Sequence, residues 1–362
     1  MGYQQLIQTL KASLLVIVFL LLGIGRAPLA WAALPAGNAI TDGKAILRYA
    51  LPIDNRTVRD LQASLEDIAV QLRGKRWNPI SKDVSKAASI IRDKQDKLLA
   101  SIPADRQASA QALIADLQAE IANLQAAVES KQKESVWIAR SKALDLVGQL
   151  EELMVTTFPF EVPAAYSNLP QLRGRATVVM NTNKGQMTIV VDGYSAPVTA
   201  GNFVDLVQRG FYDGLPFIRA EESYVLQTGD PDGPEVGFVD PKTGKYRAIP
   251  LEILVDGDQA PTYGITLEDA GRYQDMPVLP FSAYGALALA RPSDDPNGGS
   301  SQFFFFLFEP ELTPAGRNLL DGRYAIFGYV TEGKEVLEQL KQGDIIETAR
   351  VVSGLENLVQ PS

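Results

Sequence analysis

The chain contains neither histidine nor cysteine, and this restricts the chemistry that it can perform. Without histidine there is no imidazole base, no Ser-His-Asp triad and no histidine ligand for zinc, copper or iron. Without cysteine there is no thiol nucleophile, disulfide, zinc knuckle or iron–sulfur cluster. Any chemistry must therefore come from arginine, lysine, carboxylates, hydroxyls, the backbone or the shape of a pocket.

The charged residues indicate neither a metal site nor a nucleic-acid surface. No acidic loop has the Asp-x-Asp-x-Asp-Gly spacing of a calcium site, so we predict no metal and no cofactor. The net charge of −9, from 34 basic and 43 acidic residues, argues against a nucleic-acid partner. The charge is uneven, with 17 basic and 16 acidic residues in 33–155 against 15 and 27 in 156–362. This difference favours two separate domains.

Six short motifs follow one another in the C-terminal part, and they are specific as a series although each is weak alone. They are Asn202-Phe203 with Gly210–Gly214, Phe217-Ile218-Arg219, Gln227–Asp230, Gly285–Arg291, Ser301–Phe304, and Leu320-Asp321-Gly322 with Phe327-Gly328. In this order they resemble the cyclophilin family of peptidyl-prolyl cis-trans isomerases, over about 173–352. The whole chain resembles the large thylakoid-lumen cyclophilins of plants and their cyanobacterial relatives.

The resemblance implies a reaction that needs neither histidine nor cysteine. Rotation about an X-Pro bond has a barrier of ~18–20 kcal/mol because the amide C–N bond has partial double-bond character. A guanidinium can donate a hydrogen bond to the prolyl nitrogen, whose lone pair becomes localised as the bond twists. By match with the family's motifs, Arg219 is the expected catalytic residue.

The resemblance also implies which residues bind the substrate. Gln227 is expected to contact the substrate backbone, Phe304 to form the floor of the proline pocket, and Leu320 to form one wall. The complete set expected to bind substrate is Phe217, Tyr224, Gln227, Ala290, Arg291, Gln302, Phe304, Leu319, Leu320 and Tyr324.

Four residues depart from the family's pattern. Ile218 and Tyr324 stand in place of histidines. Leu319 stands where cyclophilins that bind cyclosporin strongly have a tryptophan, and Arg291 replaces an asparagine whose backbone pairs with substrate. A large cation at 291 could narrow the groove or redirect it toward acidic peptides. These changes keep open an alternative function, a catalytically weak binding module or assembly chaperone regulated by the helical domain.

The N-terminal segment has the pattern of an export signal. Residues 12–24 read ASLLVIVFLLLGI, follow Lys11 and precede Ala30-Trp31-Ala32, which has small residues where signal peptidase cleaves. This pattern predicts a secretory signal peptide over 1–32, with an uncleaved membrane anchor as the alternative. We therefore expect an exported protein of the thylakoid lumen or periplasm, which contacts a membrane only through an uncleaved signal.

Residues 33–156 are predicted to form a helical bundle, and 157–172 a linker. Apolar residues recur at spacings of three and four, as from Val58 to Leu72, which predicts three or four long antiparallel helices and a short leading helix at 41–50. The linker contains Pro159 and Pro163. We expect these tethered prolines to occupy the nearby groove and to inhibit the enzyme.

Residues 173–362 are predicted to form the cyclophilin-like domain. Short apolar runs alternate with turn residues, and helices are expected at 197–209 and near 333–341. The expected fold is multidomain α + β: the bundle, then a closed cyclophilin-like β-barrel capped by two helices, each part with its own core. Residues 231–283 are expected to be a surface insertion, with a specificity lid as the alternative. The predicted strands are 176–182, 186–192, 285–290, 302–308 and 324–330.

The predicted function is that of a peptidyl-prolyl isomerase acting on proline-containing segments of exported or membrane proteins. The resemblance implies a role in the assembly or maintenance of photosystem II, with photosystem II subunits as partners. Its activity is expected to be weak or self-inhibited.

Overall fold

The computed structural model describes residues 40–308 and 318–361, so the expected signal peptide over 1–32 lies outside the described residues. Within those two ranges, no helix is both long enough and apolar enough to cross a membrane. The described chain begins with a helical part over 43–154 and continues with a β-rich part over 171–359.

In the described residues, the helical part is a bundle of four long helices with two short ones, the first before the bundle and the second between its second and third long helices. Its helices are α1 Gly43–Ala50, α2 Arg56–Arg73, α3 Trp77–Asp93, α4 Gln95–Leu99, α5 Gln107–Glu129 and α6 Lys133–Met154. The side-chain oxygen of Asn55 accepts hydrogen bonds from the backbone N–H groups of Thr57 and Val58, and this caps α2. Helices α2, α3, α5 and α6 pack in a ring and bury the apolar residues of the predicted stripes. The predicted bundle is thereby confirmed.

An eight-stranded antiparallel sheet dominates the second part, in the order β13-β2-β3-β12-β10-β11-β5-β4. These strands are β2 Arg175–Thr182, β3 Gly185–Asp192, β4 Phe217–Glu221, β5 Val225–Thr228, β10 Ala286–Leu289, β11 Phe303–Phe306, β12 Ile326–Glu332 and β13 Ile346–Ser353. Three separate two-stranded sheets also occur in the described residues. They pair β1 Gln171–Leu172 with β14 Leu358–Val359, β6 Val239–Asp240 with β7 Lys245–Tyr246, and β8 Glu252–Ile253 with β9 Thr262–Tyr263.

The alternation of side chains along the strands divides the sheet into two faces. The inner face carries the main core, in which the rings of Phe303 and Phe327 each lie 5.2 Å from Phe203. Phe203 belongs to α7, Pro197–Gln208, and a short helix α8, Lys334–Leu337, packs against β3. These are the two predicted helices.

The prediction of a closed barrel is wrong, because the sheet is curled but open. Within the described residues no ladder joins the edge strands β13 and β4. An isolated bridge links Pro216 and Ile345, and the N–H of Phe217 donates to the carbonyl of Asp344 at 2.8 Å. The N–H of Ile346 also donates to the carbonyl of Leu215 at 2.9 Å, so the two edges meet at a short hydrogen-bonded bridge that does not extend into a ladder.

Helix α1 packs against the outer face of the sheet and takes part in its core. Ile46 and Leu47 belong to one apolar cluster with Phe306 and Tyr329. A Cβ atom on Gly43 would lie 2.8 Å from the Cβ of Tyr329, so only glycine allows this close approach. The expectation that each part has an entirely separate core is therefore wrong at α1, whose apolar side chains face the sheet.

Residues 231–283 are built into the fold, and the prediction of a mere surface insertion is wrong. Several of their apolar side chains form a buried cluster with Ala325. The buried carboxylate of Glu252 accepts the N–H groups of Val198 and Thr199 at 3.1 and 2.9 Å, and so holds the first turn of α7. Burial raises the pKa of Glu252 from 4.5 to about 7, although the hydrogen bonds from Thr199 oppose the shift.

Candidate active site

Arg219, Gln227 and Phe304 lie side by side because their strands are in register. Arg219 of β4 pairs with Gln227 of β5, Gln227 pairs with Phe304 of β11, and Phe304 pairs with Ala288 of β10. Residues paired across antiparallel strands project from the same face of a sheet. The register therefore places a guanidinium, an amide and an aromatic ring in one row on the outer face.

This row borders a cavity of about 300 Å³. The cavity is lined by Val225 and by eight of the residues that the sequence predicted. Those eight are Arg219, Tyr224, Gln227, Ala290, Arg291, Phe304, Leu320 and Tyr324.

Gln302 lies beside the cavity and orients Gln227. The side-chain N–H of Gln227 donates to the amide oxygen of Gln302 at 2.7 Å. The amide nitrogen of Gln302 donates in turn to Asp230 Oδ1 at 2.8 Å and to the carbonyl of Val236 at 2.9 Å. These hydrogen bonds engage the amide nitrogen of Gln227, so its amide oxygen can accept a hydrogen bond from a substrate backbone N–H.

Phe217 and Leu319 were predicted to bind substrate, and the structure places neither at the cavity. The β4–β5 pairing shifts register between Phe217 and Arg219, so Phe217 turns to the inner face, where it is fully buried beside Phe305. Leu319 is 88% exposed and projects into solvent. Phe217 therefore belongs to the inner core and Leu319 to the surface, outside the residues that line the cavity.

The floor of the cavity is more enclosed than the motifs suggested. Phe304 is only 5% exposed, and the ring of Tyr324 meets it edge-on at 5.4 Å. Phe281, which the sequence analysis did not identify, stacks parallel to Phe304 with ring centroids 6.1 Å apart. Because Phe281 lies outside the recognised motifs, the only sequence signal for it was an aromatic residue just before the Gly285 strand.

Arg291 forms a wall of the cavity. Its guanidinium lies over the Tyr324 ring at 5.1 Å and donates to the carbonyl of Arg323 through Nε at 3.0 Å and Nη2 at 2.7 Å. Nη1 donates to the carbonyl of Pro292 at 2.8 Å. These partners are neutral, so the positive charge of Arg291 stays available to a substrate in the groove.

Arg219 makes an ion pair that the sequence analysis also missed. Its Nε donates to Oε1 of Glu221 at 2.7 Å. The two side chains are 51% and 48% exposed, so the pair lies at the edge of the cavity in contact with solvent. The sequence could have predicted this pair, because Glu221 follows Arg219 by two residues on one strand and such residues project from the same face.

The linker does not occupy the cavity. The prediction that its prolines inhibit the enzyme by binding in the groove is therefore wrong. None of residues 157–172 lines the cavity. Phe158 instead lies 6.3 Å from the ring of Tyr194 and 6.0 Å from the guanidinium of Arg173. Val162 packs against the inner core, and these contacts hold the linker elsewhere.

Two family models match the chain. Residues 42–155 match "Peptidyl-prolyl cis-trans isomerase CYP38-like, PsbQ-like domain", and residues 177–356 match "Cyclophilin type peptidyl-prolyl cis-trans isomerase/CLD". A solved cyclophilin-type isomerase of Cryptosporidium parvum is 24% identical, covers 49% of this chain and 99% of its own, and has a TM-score of 0.35.

Two relatives match nearly the whole chain. A Synechocystis protein, named as a thylakoid lumen peptidyl-prolyl cis-trans isomerase, is 63% identical over 92% of this chain and 88% of its own length. The chloroplastic isomerase CYP38 of Arabidopsis thaliana is 45% identical over 90% of this chain and 77% of its own. This chain therefore belongs to the cyclophilin-type peptidyl-prolyl cis-trans isomerase family, in the form that carries a PsbQ-like helical domain.

Proposed function

We propose that this protein isomerises X-Pro bonds of client proteins in a thylakoid-lumen-type compartment. The observation that supports this best is the row of Arg219, Gln227 and Phe304 on one cavity of about 300 Å³. A cavity of this size fits a proline ring and its neighbouring backbone. The relatives' names, thylakoid lumen and chloroplastic, support the compartment.

The proposed mechanism stabilises the twisted amide more than the planar one. The proline ring rests against Phe304 and Leu320, while Gln227 holds the peptide backbone. The guanidinium of Arg219 donates to the prolyl nitrogen as its lone pair becomes localised. No covalent intermediate forms, so the reaction needs no nucleophile.

A protease-coupled assay with a proline-containing peptide tests this mechanism. We expect Arg219→Lys to lose nearly as much activity as Arg219→Ala, on the order of 10²–10³-fold, because lysine lacks planar, directional donors. Arg350→Lys is the matched control, since Arg350 is similarly exposed and pairs with Asp213 away from the cavity. Undiminished activity in Arg219→Lys would exclude this arginine as the catalytic residue.

The alternative function is a binding module with little turnover. It is favoured by the departures of Ile218, Arg291 and Tyr324 from the family's pattern, because Arg291 and Tyr324 line a cavity that still holds Phe304. Titration with a fluorescent proline peptide separates the two functions. Saturable binding that Phe304→Ala weakens, without turnover in any variant, would support the alternative.

We further propose that the client proteins belong to photosystem II. The support is the match of residues 42–155 to a PsbQ-like domain, together with the thylakoid relatives. Deletion of the gene should slow recovery of oxygen evolution after photodamage, and the wild-type gene should restore it. If the Arg219→Lys gene restores recovery equally well, the role does not depend on isomerisation.

A further inference from the structure

Glu221 is placed on Arg219 by the local fold of an edge hairpin. Glu221 and Arg219 are two residues apart on β4, so both project from the same face. The pairing of Glu221 with Val225 and a turn with Ser223 at a φ of 57° fix the hairpin end. Within the described residues β4 forms an edge of the sheet, and the side chains of Arg219 and Glu221 are about half exposed.

The carboxylate engages two of the five N–H donors of the Arg219 side chain. Both Nε and Nη2 of Arg219 lie within hydrogen-bond distance of the same Glu221 oxygen, at 2.7 and 2.5 Å. Among the ion pairs of the described residues, Arg219 has no other acidic partner. A carboxylate is a stronger acceptor than the nitrogen of a twisted amide, because its charge strengthens the hydrogen bond. A substrate that approaches the Nε–Nη2 edge of Arg219 therefore competes with Glu221 for these donors.

We propose that Glu221 is a positioning residue that holds Arg219 away from the prolyl nitrogen and slows isomerisation. This inference depends on the proposed function, because it concerns the same arginine. The restraint would act through a contact at the edge of the cavity, without the linker. The pair is about half exposed, and exposed pairs are weak, so the restraint should be modest, about two- to fivefold.

The test compares Glu221→Gln with Glu222→Gln in the full-length protein. Glutamine at 221 keeps the size of the side chain and removes its charge. Glu222 is the matched control, since it is the next exposed residue and makes no ion pair within the part of the chain that the structure describes. We expect Glu221→Gln to raise kcat/KM about two- to fivefold, mainly through kcat, and Glu222→Gln to leave it unchanged.

Ionic strength provides a readout that a structural role would not change. Salt screens an exposed ion pair, so activity of the wild type should rise as salt is added. The Glu221→Gln variant should not respond, because its pair is already absent. Salt dependence that is the same in both proteins would overturn the proposal.

The outcomes separate this inference from the proposed function. Equal or lower activity of Glu221→Gln in an active wild-type background would overturn the inference and leave the isomerase assignment intact. Absence of turnover in the wild type and in Glu221→Gln alike would overturn both. A gain in Glu222→Gln of the same size would show a general charge effect, and would also overturn the specific role of Glu221.

Discussion

Helix α1 should couple the stability of the bundle to that of the sheet, and Ile46→Ala tests this coupling. Ile46 is fully buried on the outer face of the sheet, in the cluster that contains Phe306 and Tyr329. Truncating a buried isoleucine to alanine costs about 2–5 kcal/mol. The hydroxyl of Tyr329 donates to the carbonyl of Pro280 at 2.8 Å, which restrains this ring from filling the cavity. We therefore expect a loss of ~3–4 kcal/mol in the free energy of unfolding.

Two probes can follow urea unfolding of the two parts separately. In the described chain the tryptophans, Trp77 and Trp137, lie in the bundle, so their fluorescence reports on its unfolding. Hydrogen exchange of peptides from β12 reports on the sheet. Ile46→Ala should lower stability by both probes. Val70→Ala is the control, because Val70 is 59% exposed on α2 and its truncation should change stability by less than ~0.5 kcal/mol.

Unchanged hydrogen exchange in β12 of Ile46→Ala would show that α1 does not couple the bundle to the sheet. A loss of stability below ~1 kcal/mol would likewise show that α1 rests on the sheet without contributing to its core.

Three further changes have defined outcomes. Arg175→Met should cost ~3–5 kcal/mol in urea unfolding, because Arg175 Nε donates to the fully buried Asp192 at 3.1 Å and its loss leaves that charge unpaired. The pKa of Glu252 is raised from 4.5 to about 7, so between these pH values the folded wild type holds a proton that the unfolded chain has lost. The free energy of unfolding of the wild type should therefore fall as pH rises through this range, by up to ~1.4 kcal/mol per pH unit. Glu252→Gln cannot titrate, so urea unfolding of this variant should show a flatter pH dependence. Peptides with glutamate before proline should be isomerised about two- to fivefold faster than those with alanine, and Arg291→Gln should abolish this preference in the protease-coupled assay.

The sequence determined the elements whose signals are local. The spacing of apolar residues from Val58 to Leu72 marks one face of a helix, and that face is buried in the bundle. Alternating apolar runs marked the strands to within a few residues, because side chains in a strand alternate between two faces. The motif series placed Arg219, Gln227 and Phe304 in one site, since each motif lies on a strand whose register is fixed by its neighbours.

Only the tertiary structure decided which residues surround that site. The register shift after Phe217 rotates its side chain to the inner face, although spacing alone puts it on the same face as Arg219. Phe281 reaches Phe304 from a segment outside the motifs. Tertiary packing also places the apolar side chains of α1 against the sheet, and it leaves the two edges of the sheet joined by a short bridge alone in the described residues. These outcomes depend on contacts between residues distant in sequence and on one-residue shifts, and neither leaves a trace in local periodicity.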